Sequence, residues 1–416
     1  MASTHLSQTI SSSTGKKFTM STWIKKSAND NINQIFHLTS DNNTHNYIDY
    51  ATKSGYGVDF QLKNGSSGTY LRRRVTRLFR DFSGWYHLVI RFDSTQASAG
   101  DRLRIYINGE QATDIDVDGT PDVPQDYVTD FNTNGSSLLI GKNPSGGGYY
   151  FDGLMSHFHL CDGYSYAPTE FGETDSTTGI WKFKTQVSVS YGTNGFFIFK
   201  DSNNLSGSTV QDQSGQGNNF TVSGTLTSLK DCPDNVFATL NSLGGLNGDA
   251  KGTYSNTNTT WVSSTTDQDA CNSTLAVNGG GGKYYCEVKC VSKTGGYYNP
   301  GVFSVVSSAY NSSNPSVFVR GDGVVYNNGS QTQSGLTALA DGDIVGMAYD
   351  ASNATHTIQF YRNGSTYGSA ENISNSPGYS LFFGDGTNSG SVSNTVSFNF
   401  GNGYFGTTAV SSAQNP

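Results

Sequence analysis

Leu103-Arg-Ile-Tyr-Ile-Asn108-Gly109-Glu-Gln and Ile358-Gln-Phe-Tyr-Arg-Asn363-Gly364-Ser-Thr lie far apart in the chain, and each sets Asn-Gly between strand-like runs. Asn-Gly accepts the two positive φ angles of a type I′ turn, so each stretch predicts a tight β-hairpin. Two such hairpins so widely separated predict two all-β domains. The neighbouring sequence agrees. Phe18-Thr-Met-Ser-Thr-Trp-Ile alternates apolar and polar residues as a half-buried strand does, and Trp85-Tyr-His-Leu-Val-Ile-Arg-Phe reads as a more buried one. Around the second hairpin, Lys283-Tyr-Tyr-Cys-Glu-Val-Lys-Cys, Ser316-Val-Phe-Val-Arg, Ile344-Val-Gly-Met-Ala-Tyr and Val396-Ser-Phe-Asn-Phe supply further strands.

Composition supports the same class. The chain has 416 residues, enough for two or three cores, and its 50 Gly accompany 24 Tyr and 24 Phe. Polar, Gly-rich sequence without aromatics is disordered, but aromatic strands joined by Gly/Asn/Ser turns are an all-β composition. A net charge of −8 argues against a nucleic-acid partner, which needs a basic surface. The basic run Arg72-Arg73-Arg74-Val75-Thr76-Arg77-Leu78-Phe79-Arg80 reads either as an anion-binding patch or as a solvated strand face. No run of about 18 apolar residues occurs, so no membrane insertion is expected. Met1-Ala-Ser-Thr-His-Leu-Ser has neither the basic start nor the apolar core of a signal peptide. The five cysteines, at 161, 232, 271, 286 and 290, are odd in number and irregularly spaced, which predicts reduced thiols and synthesis in a cytoplasm. Cys286 and Cys290 read as small buried hydrophobes rather than a metal pair.

Three stretches emerge. Residues 1–170 form a first β unit. Residues 171–245, with few strands and long polar turns, read as a connector with some strand content. Residues 246–416 form a second β unit.

Catalytic and metal chemistry concentrate in Asp114-Ile-Asp116-Val-Asp118-Gly119. Strand alternation puts the three carboxylates on one face, as two-carboxylate glycan hydrolysis requires, though Asp arms are a methylene shorter than Glu. The same residues could open a calcium loop, but position twelve of such a loop is Gln125 rather than a bidentate Glu. Asp122 or Asp126 could complete a non-standard site. The simpler reading has Ile115 and Val117 facing inward and the carboxylates facing water, with no catalytic residues and no cofactor. His157 and His159 alternate on one strand face and read as an ordinary polar surface. Gly279 to Gly282 lack the Gly-Lys-Ser/Thr of a phosphate loop and read as a flexible turn. Recognition is better supported. Gly146-Gly-Gly-Tyr149-Tyr150-Phe and Gly295-Gly-Tyr297-Tyr298 are aromatic glycine loops suited to stacking on sugar rings or contacting protein. They could equally fill a seam between domains or subunits.

Phe18-Thr-Met-Ser-Thr-Trp-Ile, Gly84-Trp-Tyr-His-Leu-Val-Ile-Arg-Phe-Asp, the Asn108 hairpin and Phe151-Asp-Gly-Leu-Met-Ser-His-Phe occur in the order of the laminin-G-like group of concanavalin A-type jelly rolls, which residues 1–170 resemble. Gly282-Lys-Tyr-Tyr-Cys-Glu-Val, Gly342-Asp-Ile-Val-Gly-Met-Ala-Tyr-Asp and Gln359-Phe-Tyr-Arg-Asn-Gly resemble a SPRY-type β-sandwich. The fold implied is two β-sandwiches joined by a partly structured connector.

Phe79-Arg-Asp-Phe-Ser-Gly-Trp-Tyr-His-Leu-Val, Phe171-Gly-Glu-Thr-Asp, Thr178-Gly-Ile-Trp-Lys, Tyr191-Gly-Thr-Asn-Gly-Phe, Ser214-Gly-Gln-Gly-Asn-Asn-Phe-Thr-Val and Asp234-Asn-Val-Phe-Ala-Thr-Leu-Asn are similar to segments of large virion proteins of marine bacteriophages. That resemblance implies a tail fibre, knob or capsid decoration, made in the bacterial cytoplasm and located on the virion. Its partners would be other virion proteins and a host-surface glycan or protein. A homo-oligomer is implied too, a trimer among the options. The resemblance of the first unit adds calcium as a possible ligand of Asp114, Asp116 and Asp118. For SPRY-like folds it points to loops, here 295–300 and 308–316. A purely structural decoration protein and a glycan-degrading virion enzyme remain as alternatives.

Overall fold

The computed structural model describes residues 4–27, 32–40, 47–53, 55–63, 70–144, 149–201, 205–242, 252–263, 269–277, 281–293, 298–304, 316–373, 378–384 and 393–410. The chain is all-β and folds as two compact units, one of residues 1–228 with 232–235, the other of 229–231 with 236–416. No α-helix occurs among the described residues.

In the first unit a ten-stranded and a six-stranded antiparallel sheet form a sandwich. The larger sheet runs Ile115–Asp116, Tyr70–Val75, Tyr56–Lys63, Tyr47–Lys53, Asn33–Thr39, Ser137–Ile140, His5–Thr9, Phe220–Ser223, Thr209–Val210, Leu205–Ser206. The smaller runs Phe196–Ile198, Gly153–Asp162, Lys17–Lys26, Tyr86–Asp93, Leu103–Ile107, Glu110–Gln111. Period-two alternation fills the space between them: Phe18 and Met20, Leu88, Ile90 and Phe92, Val58, Phe60 and Leu62 share one core. Phe18 and Phe92 are opposite each other in register, and their rings stack at 4.9 Å. Residues 171–223, read in the sequence as connector, supply strands to both sheets. They also form a hairpin, Gly172–Thr174 with Trp181–Phe183.

The second unit pairs an eight-stranded sheet with a six-stranded one. The first runs Thr253–Ser255, Thr260–Val262, Asn394–Asn399, Lys283–Lys293, Ile344–Asp350, His356–Arg362, Ser365–Thr366, with Glu371–Ile373 also on the His356–Arg362 strand. The second runs Ala270–Val277, Tyr379–Gly384, Asn299–Ser304, Ser316–Arg320, Val324–Asn327, Ser330–Gln333. Trp261, Val288, Met347, Phe360 and Phe398 anchor its core, and Cys286 and Cys290 lie within it as free thiols.

Both Asn-Gly turns are of the expected kind, with φ of +49° and +82° at Asn108-Gly109 and +51° and +81° at Asn363-Gly364. The asparagines do a second job in both units. Asn108 donates its backbone N–H to the His87 carbonyl and accepts the His87 N–H on its side chain, both at 2.8 Å. Asn363 makes the same reciprocal pair with Ile344, at 2.8 and 2.9 Å. Each turn is thereby tied to the start of the neighbouring strand.

Gly109 carries a further constraint. A Cβ there would lie 2.7 Å from the Trp181 ring, and one on Gly172 would lie 2.4 Å from the same ring. Trp181 is thus clamped between two glycines. Gly109→Ala is expected to cost about 2–4 kcal/mol, left-handed strain plus overpacking. Gly119→Ala, at φ +66° with nothing within 4 Å, should cost only the strain, about 1–2 kcal/mol. Equal urea midpoints for the two variants would contradict the clamp.

Candidate functional site

The antiparallel register that builds the edge of the larger sheet also decides what the Asp114–Asp118 motif does. Asp116 pairs with Arg74 and Ile115 with Val75, while Arg74 pairs in turn with Asp59 and Arg72 with Gln61. Arg77 clasps Asp114, Nη2 to Oδ1 at 2.8 Å, and donates its backbone N–H to Oδ2 at 2.9 Å. Arg74 donates to Asp116 at 3.2 Å and to Asp118, and rests its guanidinium 4.7 Å from the Tyr56 ring. Arg72 bridges Asp118, at 3.1 Å, and the fully buried Asp59, at 3.0 Å through Nε. Arg73, on the opposite face, reaches Asp122 at 2.6 Å and the Pro121 carbonyl at 3.0 Å.

The basic run and the acidic motif therefore neutralise one another. Arg72, Arg73 and Arg74 form neither an anion patch nor a solvated arginine face, while Arg77, though paired with Asp114, stays open to water. Ile115 packs on the core as expected, but Val117 is 43% exposed rather than inward. Asp126 stands apart, paired with Lys16 at 3.0 Å.

This geometry sets the chemistry. The hydrogen bonds from Arg77 hold the Asp114 carboxyl down at about 2. The Asp118 backbone N–H, with the Arg74 charge, lowers that of Asp116. Both are ionised at neutral pH, so neither can protonate a leaving group as a glycosidase acid must. Calcium needs six to eight converging oxygens, whereas these carboxylates converge on guanidinium cations. The residues present do not fit a calcium site, and no group of three or more His, Cys, Asp or Glu suited to a metal occurs among the described residues.

The histidines are not on a polar surface. The register shifts between Ser156 and His159, and His157 takes φ +47° at this bulge, its N–H held by the Phe199 carbonyl at 3.1 Å. The segment after residue 170 lies over them. Phe183 stacks on His157 at 4.3 Å, Phe197 on His159 at 3.9 Å, and Tyr191 Oη meets His159 Nδ1 at 2.9 Å. Desolvation lowers His157 to about 4, His87 to about 3, and His159 well below its ordinary value.

His87 is a residue that sequence patterning passed over. Its Nε2 lies 2.8 Å from Ser21 Oγ, the spacing of a nucleophile and its base. Trp181 decides the matter, because its indole N–H donates to His87 Nδ1 at 3.0 Å. An indole only donates, so Nδ1 is the acceptor and the neutral ring carries its proton on Nε2, facing Ser21. The imidazole cannot take the serine proton. The pairing is structural, with Trp23 stacked on the same ring at 4.7 Å.

The tyrosine loops divide. Tyr149 is 39% exposed, its carbonyl held by the Asn143 N–H at 3.0 Å. Tyr150 bridges to Lys142 and is half-buried, with the Lys142 ammonium 5.7 Å from its ring. Tyr297 lies outside the described residues, as do residues 308–315 and 295–296. Tyr298 is wholly buried and corrects the expectation of an exposed ring. It packs edge-on to Phe383 at 5.7 Å and donates its hydroxyl to Asp341 at 3.0 Å. The buried Asn299–Ser304 strand begins immediately after it and pulls it inward.

Residues 2–168 match the Concanavalin A-like lectin/glucanases superfamily. Among solved structures, the chain is similar to domains LG4–5 of the mouse laminin α1 chain, at 12% identity and a TM-score of 0.30, covering 99% of this chain and 92% of that one. It is similar to the SPRY domain of human HERC1, at 14% identity and a TM-score of 0.29, covering 34% and 89%. It is also similar to a heptameric SAP-like pentraxin from Limulus polyphemus, at 21% identity and a TM-score of 0.28, covering 39% and 71%. No match was found among curated proteins.

Proposed function

We propose that this chain is a non-enzymatic component of a bacteriophage virion, a tail fibre, knob or capsid fibre, whose β-sandwich surfaces hold a host-surface glycan or protein. One observation carries the non-enzymatic part. The three carboxylates of its glucanase-like motif are bound by Arg72, Arg74 and Arg77, which leaves none of them free to act as a nucleophile and holds Asp114 and Asp116 ionised. The glycan is supported by the match of residues 2–168 to a superfamily of lectins and glucanases, and by the exposed Tyr149 ring. The virion is supported by the phage-like segments at 79–86, 178–182, 191–196 and 214–222. In this reading the chain is made in the bacterial cytoplasm, assembles as a homo-oligomer with other virion proteins, and meets the cell without a cofactor.

Gold-labelled antibody against the chain, imaged on intact particles, tests the assignment. Label on projecting fibres or the tail tip is the expected result. Label spread over the head would replace attachment with capsid decoration, and particles without label would overturn the virion assignment.

A further inference from the structure

The outer face of the eight-stranded sheet in the second unit carries a construction that neither hairpin motif nor glycine loop announced. Register places Asn399, Glu287, Gly346 and Tyr361 side by side across four strands. Tyr285 is one row away on the Glu287 strand, and its ring does not stand off the sheet. A Cβ on Gly346 would lie 2.4 Å from the Tyr285 hydroxyl oxygen and 3.1 Å from two ring carbons. The hydroxyl end of the ring therefore lies over the glycine.

A relay of hydrogen bonds fixes it there. The backbone N–H groups of Gly401 and Gly403 donate to Asn399 Oδ1 at 3.0 and 3.1 Å. Asn399 Nδ2 donates to Glu287 Oε2 at 3.0 Å, and the Tyr285 hydroxyl donates to Glu287 Oε1 at 3.1 Å. Glu287 is 97% buried by residue, since only 3% is exposed, and no cation pairs with it among the described residues. Burying an unpaired carboxylate behind two neutral donors is costly. Here the cost fixes the orientation of one half-exposed ring. Beside it the half-exposed Tyr361 makes no hydrogen bond through its hydroxyl among the described residues.

We propose that the Tyr285–Tyr361 face is a binding platform for a neutral polysaccharide chain, with the pyranose C–H faces stacking on the rings. This deepens the glycan-holding function and rests on that reading. The occupant follows from the chemistry. A held aromatic face favours a flat apolar ring surface. The same face carries Lys283 ion-paired to Asp350 at 3.1 Å, and the formal charges of Glu287 and Lys289 cancel, so no net charge selects an acidic or basic polymer. Preorganisation by the relay spares the entropy of ordering the ring on binding.

The test is affinity electrophoresis of the 416-residue chain in native gels containing hydroxyethylcellulose, dextran or arabinogalactan, with alginate as the anionic control. The expected result is retardation by at least one neutral polymer, weakened at least tenfold in both Tyr361→Ala and Gly346→Ala, and unchanged in Asp116→Asn. Gly346→Ala keeps both tyrosines and only lifts one ring, and thermal melting verifies that each variant is folded. Retardation insensitive to both substitutions would overturn this platform while leaving glycan holding intact. Retardation by alginate alone would overturn the neutral class. Loss of self-association in Tyr361→Ala, read by sedimentation and without an effect on retardation, would assign the face to a second copy of the chain. No retardation by any polymer would overturn both readings.

Discussion

Lowering the pH from 7.5 to 5 is expected to destabilise the first unit by about 6 kcal/mol, on the order of its whole stability. His87 and His157 titrate at about 3 and about 4 in the fold, and His159 well below its ordinary value, because burial disfavours their charged forms. In the unfolded chain each titrates near 6.5. Above that pH both states are neutral and the histidines contribute no pH dependence. As pH falls through 6.5, the unfolded chain takes up protons that the fold refuses, and stability declines until the folded values are reached. At pH 5 this amounts to about 2 kcal/mol for each histidine. Asp234 and Asp201 pull His157 upward and Lys200 pushes it down, so its share is the most moderated. Urea denaturation followed by tryptophan fluorescence should show the midpoint falling steeply below pH 6.5. His159→Gln should remove about one proton from that dependence. A midpoint unchanged between pH 7.5 and 5 would mean that the segment after residue 170 does not cover the three imidazoles.

The second large effect lies in the arginine–aspartate lattice. Arg72→Met is expected to cost about 3–5 kcal/mol, because it strips the guanidinium from a carboxylate with no solvent exposure, that of Asp59. Arg77→Met should cost less than about 1 kcal/mol, because its pair with Asp114 is exposed to water on both sides, 41% and 29%. The double variant Arg72→Met/Asp59→Leu should recover most of the first loss, since an apolar pair of similar volume removes the buried charge altogether. Equal costs for the two arginine variants, measured by urea midpoint, would refute the difference in burial on which the contrast depends.

Local chemistry was readable where it was local. The Asn-Gly turns, the inward placement of Phe18 and Met20 and the burial of Cys286 and Cys290 follow from propensity and period alone, but the strand read as half-buried is buried on both faces, Thr19 and Ser21 included. What escaped depended on partners distant in sequence. Arg72–Arg77 and Asp114–Asp118 each read as a separate functional motif, and only the register of the Tyr70–Val75 and Ile115–Asp116 strands shows them cancelling. His157 and His159 read as solvated because the residues that bury them, Phe183, Tyr191 and Phe197, lie in a stretch too poor in strands to suggest a covering layer. Tyr298 looked like a loop ring, yet the strand that opens at Asn299 draws it into the core. The Tyr285 platform had a signal that could have been used: a glycine in the middle of the Ile344-Val-Gly-Met-Ala-Tyr strand marks close approach by a neighbour.

We propose that the chain holds glycan without cutting it. The most direct measurement incubates the wild-type chain with fluorescently labelled surface polysaccharide from a bacterium the particle infects, then follows bound label and polymer size together. Retention of label on the protein with the polymer length unchanged is the expected result. A fall in polymer length, abolished by Asp116→Asn, would contradict it and make the arginine-bound carboxylates a working active site.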